Sequence, residues 1–101
     1  MRTTVEQHEG TLSIRLNGRF DFSAHRAFRD SYSAGLEAQD VREFEIDLGQ
    51  VEYVDSSALG MLLMLREKAH AANKTVALTN CNGAVKQILE VANFGRLFPI
   101  R

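Results

Sequence analysis

Residues 54–61 read VDSSALGM, and they form the junction between an extended segment and the most apolar helix of the chain. An aspartate and two serines stand where that helix begins. A single side chain, from Asp55 or from either serine, is enough to accept a backbone N–H of the first turn and cap the helix. Capping therefore leaves the second hydroxyl and Gly60 without a structural explanation.

The helix itself, predicted from Ser57 to about residue 72, is more apolar than one packing face requires. One stripe is sufficient to pack on a sheet, and its members are Ala58, Met61, Leu62, Leu65 and Ala69. Leu59, Leu63 and Met64 widen the apolar arc, and exposed apolar surface usually marks a partner site. Gly60 costs about 1 kcal/mol relative to alanine, which is tolerable where another molecule approaches the backbone. We expect Leu59 or Leu63, rather than Met61 and Leu62, to contact a partner.

The segments before this junction predict strands. TLSIRLN (11–17) and FEIDL (44–48) alternate apolar and polar residues, a period of two that is typical of half-buried strands. The second of these strands is expected to end at Gly49. Val5 is assigned to a preceding strand, joined to the first through a hairpin turn at residues 8–10.

Helices are predicted between and after the strands. Ser23 can cap a helix whose apolar residues are spaced by four: Ala24, Phe28, Tyr32 and Leu36. TVALT (75–79) predicts another strand, and a last amphipathic helix carries Val85, Ile88, Leu89 and Ala92. Residues 94–100 supply apolar contacts or a short final strand. The order β-β-α-β-α-β-α predicts a single α/β domain over residues 1–101, with a mixed, mostly parallel sheet of four to five strands flanked by helices.

Composition narrows the classes of function. A chain of 101 residues, 45% hydrophobic and 25% charged, can build one small core. Its net charge of −1 provides no basic field to hold nucleic acid or an anionic membrane. The longest apolar run, residues 58–65, is too short to span a bilayer, and the N-terminus lacks an apolar signal region. We expect a cytoplasmic domain.

The residues do not indicate an enzyme, a metal site or a cofactor site. A hydrolase triad would draw on Ser56 or Ser57, on His25 or His70, and on Asp21 or Asp55. The GxSxG pattern that exposes a nucleophilic serine is absent, and so is a glycine-rich phosphate loop. The three histidines are far apart in sequence, and one cysteine cannot form a thiolate cluster.

A serine at the start of a helix is also a favourable position for a phosphate, because unpaired N–H groups and the helix dipole stabilise an oxyanion there. A phosphate would add a charge of about −1.5 to −2 beside Asp55, at the rim of an apolar patch. A partner docked on that patch would have to desolvate the dianion. From the residues alone, this switch stands beside plain capping as a second interpretation.

Three motifs resemble those of the STAS family, the anti-sigma factor antagonists of bacterial partner-switching systems. GRFD (18–21) matches a turn after the second strand, and DSSALG (55–60) matches the segment that opens the second helix. The third match runs from Ile88-Leu89 to Leu97-Phe98. The resemblance covers nearly the whole chain. The family often has glycine where Ala58 stands, but alanine is small and favours a helix.

The resemblance implies a mixed sheet flanked by helices and a switch operated by phosphorylation. A serine kinase would phosphorylate Ser56, and a PP2C-type phosphatase, which can be fused to a response regulator, would reset it. The unphosphorylated form would bind an anti-sigma factor and release its target, whereas the phosphorylated form would not bind. Ser57 becomes an auxiliary or capping hydroxyl. The implied partner-binding residues are Asp21, Ser56, Ser57, Leu59, Gly60 and Leu63.

A second hypothesis uses the same fold without phosphorylation. STAS domains also serve as interaction subunits of lipid-transport ABC systems and as tails of anion transporters. The intact Asp55-Ser56-Ser57 segment favours the switch over this alternative.

Overall fold

The strands form one mixed sheet in the order β1-β2-β3-β4 in the computed structural model, which describes residues 1–101. The strands are β1 (Arg2–His8), β2 (Thr11–Phe20), β3 (Glu43–Val54) and β4 (Thr75–Thr79). β1 is antiparallel to β2, and the other neighbours are parallel. The helices are α1 (His25–Glu37), α2 (Ser56–Ala71) and α3 (Gly83–Val91), with short 3-10 turns at Phe22–Ala24 and Phe94–Arg96. The predicted order of elements and the mixed sheet are confirmed.

The hairpin between β1 and β2 turns over two residues. Glu9 and Gly10 have φ values of 47° and 85°, so both central positions are left-handed. Such a turn matches the twist of the flanking strands, and glycine adopts it without steric cost. His8 and Thr11 therefore pair directly across the turn.

One face of the sheet carries the core. The fully buried side chains of β2 and β3 alternate along each strand, and the parallel register places Ile14 beside Ile46. The helices pack on this face through Phe28 of α1, Leu65 of α2 and Leu89 of α3. The opposite face is a shallow polar depression lined by Thr4, Glu6, Ser13, Arg15, Glu45, Asp47, Thr79, Asn80 and Arg101. No helix combines the length and the apolar character that crossing a membrane requires.

Gly35 allows α1 to pack closely on the sheet. A Cβ added there would lie 2.7 Å from Leu12 Cδ2 and 2.9 Å from Phe44 Cε1. The same end of α1 is held by the buried Lys74, whose Nζ donates hydrogen bonds to the carbonyls of Gly35 and Ala38. These carbonyls at the helix end favour a cation.

We expect Gly35→Ala to lower the free energy of unfolding by about 1–3 kcal/mol, because the clash exceeds the gain in helix propensity. Gly60→Ala in α2 is the matched control, since nothing lies within 4 Å of its added Cβ. That control should gain about 1 kcal/mol from helix propensity alone. Urea unfolding measures the free energy of unfolding of both variants. Equal changes in the two would contradict the packing argument.

β3 does not end at Gly49, as the sequence suggested, but continues to Val54. The Gly49 N–H donates to Asp47 Oδ1 at 2.9 Å, and the register with β2 shifts nearby, so the strand passes through an irregularity and resumes. Its last pair joins Val54 to Phe20. As a result, the residues that follow β2 and β3 meet at the same end of the sheet.

The start of α1 also differs from the prediction that Ser23 is its cap. The cap residue of the preceding 3-10 turn is Asp21, whose Oδ1 accepts hydrogen bonds from the Ser23 N–H and hydroxyl. The Asp21 carboxylate accepts both hydrogen bonds at once. Ser23 therefore acts as a donor here, and not as the capping acceptor that the sequence suggested.

The last residues pair with β4 and do not form a full strand. The Leu78 N–H donates to the Pro99 carbonyl at 2.9 Å, and the Arg101 N–H donates to the Leu78 carbonyl at 2.8 Å. Leu78 and Ile100 thereby form a single parallel bridge. The bridge occupies the outer edge of β4.

Candidate functional site

Asp55 is the cap of α2. Its extended backbone, with φ −104° and ψ −179°, lets Oδ1 accept the Ala58 N–H at 2.9 Å. The helix begins at Ser56, one residue earlier than predicted. Of the three capping candidates in the sequence, the carboxylate fills the role, so neither serine hydroxyl is needed for it.

Asp55 also connects the two chain segments that leave the sheet at this end. Its Oδ2 accepts the Phe22 N–H at 3.3 Å, and its own N–H donates to the Phe20 carbonyl at 3.3 Å. One residue therefore fixes the start of α2 against the turn that leads into α1. This arrangement holds the beginning of α2 in place before any partner arrives.

Asp21 lies half-buried beside this junction. Its hydrogen bonds from Ser23 hold the pKa of the Asp21 carboxyl below its ordinary value, and Arg19, at 3.5 Å, lowers it further. The Arg19 guanidinium also stacks over the Tyr53 ring, with 4.3 Å between the carbon and the ring centroid. Asp21 and Asp55 therefore place two acidic side chains near the start of α2.

Ser56 and Ser57 occupy different environments. Ser56 is the first residue of α2, it is exposed, and its hydroxyl makes no hydrogen bond within the chain. Ser57 is half-buried and lines a groove between α1 and α2. Only Ser56 combines free access with the absence of a structural role.

Successive residues of a helix are about 100° apart, so Ser56, Gly60 and Leu63 fall on one side of α2. We call these three residues the outer ridge. It lies opposite the buried residues Ala58, Met61, Leu62, Leu65 and Ala69. Ser56 and Gly60 are exposed, and Leu63 is half-buried. The outer ridge therefore presents a hydroxyl, bare backbone and an apolar side chain within the first two turns.

Grooves flank the outer ridge on both sides. The one between α1 and α2 has a volume of about 230 Å³ and is lined by Phe22, His25, Phe28, Arg29, Tyr32, Ser57, Gly60, Met61 and Met64. The other, between α2 and α3, has a volume of about 760 Å³ and is lined by Leu59, Ala84, Gln87, Ile88, Glu90, Val91 and Ala92. The six candidate partner-binding residues all lie at the start of α2, except Asp21, which lies across the junction with β2.

The sequence did not predict that two apolar residues of this surface are exposed. Phe22 is 77% exposed and Val91 is 86% exposed. Val91 had a readable signal, because Ala84, Ile88 and Val91 form a second stripe at i, i+4 and i+7 on α3. Phe22 had none, since it falls in a turn without periodicity.

The cap yields a stability prediction. Asp55→Ala should lower the free energy of unfolding by about 1–2 kcal/mol, because the N–H groups of Ala58 and Phe22 both lose their acceptor. Ser56→Ala should remain within about 0.5 kcal/mol of the wild type. Urea unfolding compares the two. An equal loss in Ser56→Ala would assign the cap to the serine instead.

Side chains that could bind a metal ion do not cluster in this protein. Across the chain, no group of three or more His, Cys, Asp or Glu side chains could hold a metal ion. His25 lies in the α1–α2 groove with Ser57, but no hydrogen bond connects them. What the arrangement provides is an accessible hydroxyl on an apolar surface with fixed geometry.

Comparison with solved structures shows a shared fold. The anti-sigma factor antagonist SpoIIAA in its unphosphorylated form matches with a TM-score of 0.82 and 21% identity, over 99% of this chain and 88% of that chain. Its phosphorylated form from Bacillus matches with a TM-score of 0.75 and 20% identity, over 99% and 91%.

Sequence comparison identifies the family. A STAS-domain-containing protein of Pseudomonas aeruginosa (strain UCBPP-PA14) is 47% identical over 89 residues, which span 88% of this chain and 86% of that protein. An anti-sigma F factor antagonist of Paenibacillus polymyxa is 22% identical over 100 residues, which span 99% and 86%. The family model described as "Mlab, STAS domain" matches residues 3–99. With the fold and the start of α2 arranged as described, the chain belongs to the STAS-domain family.

Proposed function

We propose that this protein is a phosphorylation-controlled binding switch of the partner-switching type. The unphosphorylated form binds an anti-sigma factor, or an equivalent regulator, and so releases the target of that regulator. Phosphorylation of Ser56 by a serine kinase prevents binding, and a PP2C-type phosphatase, free or fused to a response regulator, restores it. The relatives named as anti-sigma factor antagonists support this class of function.

The state of Ser56 is the observation that carries the proposal. Its hydroxyl is exposed and unbonded because Asp55 already caps the helix. A kinase can therefore reach and modify it without breaking a contact that the fold needs. The remaining amides of the first turn, those of Ser56 and Ser57, and the helix dipole favour an anion at this position.

The phosphate acts on the docking surface and leaves the fold intact. It adds a charge of about −1.5 to −2 to a site that already has Asp55 and Asp21 beside it. A partner that covers the outer ridge must then strip water from this charge, and burying a charge is costly unless it is paired. SpoIIAA, whose fold this chain shares, has been solved in both phosphorylation states, which supports a switch that does not require refolding.

The docking surface consists of the outer ridge with Leu59, Ser57 and Asp21. Leu59 and Leu63 are half-buried, so each has exposed apolar surface that a partner can cover. Met61 and Leu62 are buried in the core and have almost none. Gly60 admits the partner close to the backbone, because no side chain of this protein fills the space above it.

We expect Leu59→Ala and Leu63→Ala each to weaken binding of the anti-sigma factor about tenfold, as apolar contacts at the centre of an interface do. Leu97→Ala is the control, since Leu97 is a leucine with 38% of its surface exposed that lies outside the docking surface. Titration calorimetry with variants of verified fold measures the change. Unchanged binding by both α2 variants would remove the leucines from the interface.

Phosphopeptide mass spectrometry of the protein isolated from its host tests the switch directly. The expected result is one phosphate on Ser56, removed by a PP2C-type phosphatase. Protein carrying the phosphate should fail to bind the anti-sigma factor that the dephosphorylated sample binds. Modification at another residue, or equal binding by the two samples, would refute the proposal.

A further inference from the structure

The sheet has two outer edges, and only the β4 edge has any backbone pairing on its outer side. The β4 edge is occupied by residues 99–101 through the hydrogen bonds of Leu78. β1 has no neighbour on its outer side. It is seven residues long, it contains no proline, and it pairs with β2 without a register shift. A long, regular edge without a bulge or a proline is a template for pairing with another strand.

The hairpin register determines which backbone groups of β1 are available. His8 and Thr11 flank a two-residue turn and therefore form a hydrogen-bonded pair, and such pairs alternate along antiparallel strands. The even-numbered residues of β1 are thus bonded to β2. Thr3, Val5 and Gln7 direct their N–H and C=O groups outward, where no acceptor or donor of this chain meets them.

The sequence of β1 is complementary to itself about Thr4. An antiparallel pairing of two copies centred there places Thr3 opposite Val5 of the second copy, so the outward groups of both strands meet. The same register places Arg2 opposite Glu6 twice, and opposite charges at directly opposed positions stabilise a sheet. Shifting the register by two residues in either direction breaks this charge pairing. Val5, which is 44% exposed, would be covered by the second copy.

We propose that β1 is a homodimer interface, in which two copies pair β1 with β1 antiparallel about a two-fold axis through Thr4. The two four-stranded sheets become one continuous sheet across the axis. Because a two-fold pairing uses the β1 edge of both copies, the assembly stops at two copies and does not extend into a fibre. This interface is independent of the switch proposed at Ser56.

Cross-linking tests the register. The two Thr4 residues form a non-hydrogen-bonded pair, in which the Cα atoms are about 4.5 Å apart, within reach of a disulfide. In a Cys81→Ser background, Thr4→Cys should form a covalent dimer on mild oxidation. Glu6→Cys is the matched control on the same face, because its two copies are about 13 Å apart along the strands in this register. A control that cross-links as readily as Thr4→Cys would overturn the proposal.

Sedimentation of the full chain tests the charges and the edge. Arg2→Glu and Glu6→Arg should each raise the dimer dissociation constant about tenfold, since each puts like charges opposite one another twice, and the double swap should restore it. Val5→Pro removes an outward N–H at an edge position where proline is tolerated, and it should give a monomer with an unchanged circular dichroism spectrum. A wild-type protein that is monomeric at millimolar concentration, a double swap that does not restore dimerisation, or a dimer insensitive to Val5→Pro would each overturn the proposal.

Discussion

Ser56→Glu is expected to weaken binding of the anti-sigma factor about a hundredfold, whereas Ser56→Ala should bind as tightly as the dephosphorylated protein. The glutamate places a permanent charge on the outer ridge, next to Asp55, where the partner must exclude water. Leaving a charge buried and unpaired in an interface costs about 2–5 kcal/mol, and a hundredfold change corresponds to about 2.7 kcal/mol. Titration calorimetry with purified proteins gives both dissociation constants.

Ala71→Glu is the matched control for this charge. It adds the same −1 to the exposed last residue of α2, at the opposite end of the helix from Ser56. Its binding should equal that of the wild type. If Ser56→Glu also bound like the wild type, the proposed phosphorylation switch would be wrong. The preferred function would then be that of a non-switching interaction subunit of a lipid-transport ABC system.

Gly60→Leu should make the protein more stable and bind its partner about 10–100-fold more weakly. The gain in stability, about 1 kcal/mol, follows from helix propensity, because the position has open space above it. The loss of binding follows from overpacking, since a side chain would occupy the space that the partner uses, at about 1–3 kcal/mol. Urea unfolding and titration calorimetry on the same preparation separate the two effects.

Glu67→Leu is the control for an added leucine on α2. Glu67 is exposed and lies two turns beyond Gly60, on the same side of the helix. The Glu67→Leu substitution should leave binding unchanged if the partner contacts only the start of α2. A Gly60→Leu variant that binds normally would show that the partner does not approach the backbone there.

The sequence predicts the strands and the hairpin well because their signals are local. The alternation in residues 11–17 and the turn at Glu9-Gly10 each depend on neighbours a few residues away. The end of β3 could not be predicted in this way. Gly49 looks like a terminator in isolation, but pairing with β2 carries the strand to Val54. That pairing joins residues far apart in the chain.

The candidate site likewise combines features that local sequence predicts with features that depend on distant segments. Capping chemistry and the apolar excess of α2 are local properties of the sequence, and they point to a spare hydroxyl at the helix start, to Gly60 and to the extra leucines Leu59 and Leu63. The choice of Ser56 over Ser57 came from the family resemblance. The choice of Asp55 over the serines depends on its extended backbone and on the Phe22 N–H, which comes from a different segment. The exposure of Phe22 depends on how the turn before α1 leaves the sheet, and no periodic pattern records that.

The two hydrogen bonds that Asp55 accepts have a consequence for genetics. Because a carboxylate holds the junction together, the adjacent hydroxyl can be altered without penalty to folding. Alleles that fail at Ser56 should accumulate to normal levels in the cell and appear as signalling defects, whereas alleles that fail at Asp55 should appear as lowered protein abundance. A screen that scores both traits would therefore tell the two neighbouring codons apart.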